Sequence, residues 1–146
     1  MRKALLALIM IAAPAAAQLR LPILAQRPAA QPPLTGIDAM RAEFAALSGG
    51  TTVYFGSGSA QLGAPATAVL QAQAGWLRRH PEIVVRIEGH GDSSDTRDHA
   101  LAVGARRAEE VRNYLVLLGV PPAQMGATSF GKERPGAGRA VTVLVR

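Results

Sequence analysis

His90, Asp92, Ser93, Ser94, Asp95 and His99 crowd into ten consecutive positions, beside Gly89 and Gly91. Several chemistries use such residue types. A phosphate cradle needs G-x-G-x-x-G or a P-loop lysine, and neither pattern is present. His90, Asp92 and His99 are zinc-ligand types, but His80 is the only other histidine and no H-E-x-x-H pair exists. The serines lack the G-x-S-x-G setting of an activated nucleophile. No enzyme, metal or cofactor is therefore expected. What remains is an acid, Asp92, followed by Arg106 and Arg107. Asp92 can equally make an Asx-turn or cap the next segment. Both arginines can pair with Glu110 at helical spacing, for a few tenths of a kcal/mol.

The elements that position these residues are legible in the spacing. Residues 51–55 are β-branched and aromatic, which predicts a strand, and Gly56-Ser57-Gly58-Ser59 ends it. Pro65 suits the first turn of a helix carrying Val69, Leu70, Ala74 and Leu77, which stops at His80 before Pro81. Ile83, Val85 and Ile87 alternate along a second strand that runs into the polar loop 89–95. A helix over 99–118 is predicted with Leu101, Ala105, Ala108, Val111, Leu115 and Leu118 on its apolar face, closed by Gly119. Short strands at 128–130 and 140–145 follow. Strands alternating with helices predict an α/β sandwich, two helices on a mixed sheet, in the order βαβαββ. The loop at 89–95 then lies at a strand end, where α/β folds place ligands.

Ahead of this domain, residues 36–48 carry Ile37, Met40, Phe44 and Leu47 at spacings that predict a short amphipathic helix, with Thr35 as its cap. Its apolar face is a candidate docking surface for an envelope protein partner. Residues 18–35 hold four prolines and read as a linker. Residues 1–17 combine Arg2-Lys3, an apolar run and Ala15-Ala16-Ala17, the pattern of a cleaved secretory signal. The apolar run is shorter than the ~20 residues that span a bilayer, so no membrane span is expected after cleavage. Removing Arg2 and Lys3 lowers the basic count from 16 to 14 against 10 acids, leaving a modest surplus near +4. That surplus suits an anionic polymer or surface; aromatic–basic interleaving, the mark of nucleic-acid binding, is absent. No cysteine is present to hold a disulfide, a zinc ion or a lipid.

Residues 51–146 resemble the OmpA-like peptidoglycan-binding domain family in several motifs that occur in order. Val53-Tyr54-Phe55 with Ser59 and Leu62 is similar to its first strand and turn. Val85-Arg86-Ile87-Glu88-Gly89-His90-Gly91-Asp92 is similar to its strand ending in G-H-T-D. Ala105-Arg106-Arg107-Ala108 through Tyr114-Leu115 is similar to its R-R-A-x-x-V-x-x-Y-L helix, and Ser129-Phe130-Gly131-Lys132-Glu133-Arg134-Pro135 follows. The resemblance implies a periplasmic, wall-associated module that holds the diaminopimelate of a peptidoglycan stem peptide. It implies Asp92 and Arg107 as the residues that grip the ammonium and carboxylate, with amides near Gly91 and the side chain of Arg139 in support. An acid and a guanidinium a few ångströms apart suit a zwitterion through charge-assisted hydrogen bonds. The sequence departs from the family pattern at Gly56, Gly91 and Ala100, where aspartate, threonine and asparagine are usual. The loop Pro135-Gly136-Ala137-Gly138 is also abbreviated, and Gly138-Arg139-Ala140 replaces N-R-R.

Overall fold

A computed structural model describes residues 36–135 and 137–146. The leader, the linker and Thr35 lie outside the described residues. The elements are α1 (Ile37–Leu47), β1 (Thr52–Tyr54), α2 (Ala64–Arg79), β2 (Val85–His90), α3 (Arg97–Leu117), a 3-10 turn (Pro122–Gln124), β3 (Met125–Gly131) and β4 (Arg139–Leu144). The four strands form one sheet in the order β1-β4-β2-β3. β2 and β3 are parallel, joined across α3, and the other two pairings are antiparallel. The mixed α/β architecture expected from the alternating pattern is therefore the observed one. None of the described helices is long and apolar enough to cross a membrane.

β2 occupies a central position, which explains its near-continuous burial: five of its six residues are buried. Ile87 packs beneath the helices with Leu70, Leu77, Val111 and Leu115, all fully buried. Gly119, at a φ of 90°, supplies the left-handed residue that lets the chain leave α3. At the other end Thr96 caps α3 by accepting from the His99 amide.

Two expectations are corrected. The first concerns α1, whose apolar face is largely taken up by the domain: Ile37 and Met40 pack against the core, and Leu47, 58% exposed, stays outside. Phe44 is fully buried and meets Trp76 edge-on, with ring centroids 5.1 Å apart. Trp76 Nε1 donates to Glu43 at 3.1 Å, and the Arg41 guanidinium donates to the Leu144 carbonyl at 3.1 Å. Segment 36–48 is thus a third helix of the domain, and the sandwich begins there rather than at Thr51.

The second correction is the register of α3. Leu101 is 47% exposed and Ala105 lies outside, while Ala100, Val103, Gly104, Arg107 and Ala108 face inward. The helix lies too close to β2 for a leucine stripe. A Cβ on Gly89 would stand 1.8 Å from the Gly104 carbonyl oxygen, and one on Gly104 would stand 2.5 Å from Ser129 Oγ. Small residues therefore form the contact, and the inward face at this end is turned about one residue from the predicted one. That rotation carries Arg107 into the interior.

Candidate functional site

The end of β2 and the inward face of α3 meet at Asp92 and Arg107. A register shift between Gly89 and His90 kinks β2 just before the loop and re-aims the residues that follow. Arg107, one turn along α3 from Gly104, is wholly buried. Its Nη1 donates to Asp92 Oδ1 at 2.9 Å and to the His90 carbonyl at 2.8 Å. Nε donates to the Ser59 carbonyl at 2.8 Å and Nη2 to the Gly56 carbonyl at 2.9 Å. A guanidinium has five N–H groups, so one on Nη2 is left. The Phe55 ring lies 5.4 Å from the guanidinium carbon.

Asp92 is the exposed member of the pair, its side chain 13% accessible. Oδ2 accepts from the Gly58 amide and, at 3.4 Å, from the Ser57 hydroxyl. The Gly58 hydrogen bond first, and then the Arg107 guanidinium, hold its carboxyl below the usual 3.8. The acid and base thus pin the loop 56–59 to the end of β2 and form a small polar lip. Reading that loop only as a strand breaker missed its part in the site. Its signal was two glycines and two serines together, the composition of a segment that offers backbone groups as ligands.

Gly91 has a different role from the one expected. Its amide donates to the Gly131 carbonyl at 2.8 Å and is not free for a ligand. A Cβ on it would stand 2.2 Å from the Ala100 carbonyl oxygen and 2.5 Å from Ala100 Cα. Ala100 is itself fully buried. The two departures at 91 and 100 are one packing event, in which both side chains shrink where loop and helix touch. Arg139 is not bonded to Asp92 or Arg107; its Nη2 donates to the Pro135 carbonyl at 2.7 Å, and its buried Nε has no partner. Arg107 does not reach Glu110, so the surface ion pair considered for it does not form.

The histidines are apart. His99 pairs with Asp95 at 2.8 Å, while His90 is 2% exposed and stacks on Phe130 with centroids 5.9 Å apart. Among the described residues no group of three or more His, Cys, Asp or Glu side chains is placed to share a metal ion. Burial above all, and then Arg139, push the His90 pKa below 6.5. The unfolded chain therefore takes up this proton first, and the stability it opposes is intact above pH 6.5. Stability is expected to decline as pH falls below 6.5 toward the depressed folded value. Urea unfolding at stepped pH checks this; His90→Gln should flatten the slope in that window. A second decline, from Asp92, belongs to pH below 3.8.

Three comparisons bear on this geometry. A family model described as "OmpA family" matches residues 54–143. The peptidoglycan-associated lipoprotein of Agrobacterium fabrum is 42% identical over 106 residues, 65% of this chain and 60% of that protein. The protein of the same name from Pseudomonas aeruginosa is 44% identical over 99 residues, 68% of this chain and 58% of its own length. This chain thus spans about 60% of the length of these curated relatives. The crystal structure of the peptidoglycan-associated lipoprotein from Burkholderia pseudomallei aligns with a TM-score of 0.64 at 38% identity. That alignment covers 66% of this chain and 92% of that one. The C-terminal domain of Helicobacter pylori MotB shares the fold, with a TM-score of 0.60 at 18% identity, over 65% of this chain and 84% of that one.

Proposed function

Because this chain belongs to the OmpA family, we propose that its domain binds peptidoglycan without catalysis, by holding the free zwitterionic end of diaminopimelate in a stem peptide. The observation that carries this reading is the Asp92–Arg107 pair at 2.9 Å, with the base buried and the acid at the lip. A carboxylate offers about four lone-pair sites, and Asp92 commits one to Arg107 and one to Gly58. The ligand ammonium takes a remaining site on Oδ1 and, with a second N–H, replaces the long Ser57 contact on Oδ2. Arg107 has no accessible surface, so it favours the ligand carboxylate through its charge from beneath the lip rather than by direct contact. Nothing in this arrangement activates water, so the bound peptide leaves unchanged.

Relatives named as peptidoglycan-associated proteins support the substrate class. We place the protein in the periplasm, carried there by residues 1–17 and held at the wall by the domain. The 146 residues contain no cysteine, so a thioether-linked lipid has no attachment point among them. Co-sedimentation with purified sacculi tests the proposal. Wild-type protein is expected in the pellet. Asp92→Asn keeps the shape but removes the charge, and should reduce binding by about tenfold or more. Circular dichroism of the variant verifies its fold. Equal sedimentation of both proteins would overturn the proposal.

A further inference from the structure

The β3–β4 loop gathers positive charge that the Asp92 lip does not use. Lys132 Nζ donates to the Asp95 backbone carbonyl, and Arg139 Nη2 to that of Pro135. Carbonyls are neutral, so neither cation is compensated there. Arg134 lies 3.7 Å above the Phe130 ring and donates to Glu88 at 3.0 Å. Glu88 also accepts from Arg86, so one buried carboxylate serves two guanidiniums. Beside these groups lies a cavity of about 320 Å³, lined by Ser93, Lys132, Glu133, Arg134, Pro135 and Ala137. Its one acid, Glu133, is turned onto Arg97. Lys132 and Arg134 therefore give the cavity a positive lining; Arg139, the first residue of β4, has a buried Nε without a partner but does not line it.

We propose that this cavity is a second carboxylate subsite of the stem peptide, resting on the zwitterion reading of Asp92. The two places adjoin. Ser93 follows Asp92 directly, and the loop returns to it where the Gly138 amide donates to the Gly91 carbonyl at 3.1 Å. A stem peptide carries further carboxylates within a residue or so of its diaminopimelate. One is the α-carboxylate of the γ-linked glutamate before it; the other is the peptide's own C-terminus. Both present the same chemistry to Lys132 and Arg134, and a neutral amide at either position loses the attraction. The site would in this way distinguish free from amidated stems.

Isothermal titration with three soluble stem peptides tests this: the parent, its glutamate α-amide and its C-terminal amide. At low salt, one of the two amides should bind about fivefold more weakly than the parent, and high salt should narrow the difference. Lys132→Gln, a change at an exposed position, should bind all three with the weaker affinity. Equal affinity of wild type for the parent and both amides overturns the subsite while leaving the Asp92 reading intact. If no peptide binds wild type at all, the Asp92 reading fails and the subsite fails with it.

Discussion

Arg107→Ala is expected to lower the stability of the domain by about 3–5 kcal/mol, the usual result of removing one partner of a buried ion pair. The magnitude follows from what the guanidinium holds. It is wholly buried, and its removal leaves the carbonyls of Gly56, Ser59 and His90 without their donor and Asp92 without its counter-charge. Arg107→Lys keeps a positive charge but presents a point ammonium in place of a planar fork. It cannot span carbonyls contributed by both the 56–59 loop and the end of β2, so most of the loss should remain. Urea denaturation of the two variants beside Asp92→Asn separates the roles. The arginine variants should lose stability and binding together, whereas Asp92→Asn should lose binding and a smaller share of stability. In that variant Arg107 stays buried with three carbonyl acceptors but without its counter-charge. An Arg107→Ala protein as stable as wild type would show that the base does not organise the lip.

The pair itself was visible in the sequence through ordered motifs, yet its geometry was not. Spacing put Arg107 beside Glu110 on a helix surface, because helical periodicity counts residues and does not see how near a helix comes to its sheet. Leu101 is the largest hydrophobe of this stretch, and a stripe drawn from it at helical spacing runs through Ala105. Here the decisive residues were the smallest, Gly89, Gly104 and Ala100, which admit close approach and so rotate the inward face. The segment from Ile37 to Leu47 was recognised as amphipathic, but not what would cover it; Phe44 finds Trp76 from a helix more than 30 residues away. Such contacts depend on tertiary arrangement, which local pattern does not encode. The strands and helix limits, by contrast, are set by nearby prolines, glycines and β-branched runs, and these were legible to within a few residues.

That same seam of small residues yields the second large effect. Gly89→Ala should destabilise the domain by more than about 3 kcal/mol, at the upper end of overpacking. The new methyl would sit 1.8 Å from the Gly104 carbonyl oxygen and 3.0 Å from the Ala108 Cβ. Both belong to α3, and a backbone carbonyl cannot rotate aside as a side chain does. The helix must therefore move outward, by more than an ångström before the contact is tolerable. Arg107 moves with it, and its bonds of 2.8 and 2.9 Å to His90 and Asp92 stretch out of range. Gly104→Ala meets the Ser129 hydroxyl at 2.5 Å, which turns only by giving up its bond to the Leu101 carbonyl, and the Gly89 carbonyl oxygen at 2.9 Å. That backbone overlap is far smaller than the 1.8 Å at Gly89, so a smaller loss of about 1–3 kcal/mol is expected. Gly126 on β3 has open space where a Cβ would go, and Gly126→Ala should fall within about 0.5 kcal/mol of wild type. Stabilities ranked in that order, with stem-peptide binding lost in Gly89→Ala and kept in Gly126→Ala, would tie the site to the closeness of α3 and β2. Binding that survives in Gly89→Ala would mean that the lip assembles without the helix that carries its base.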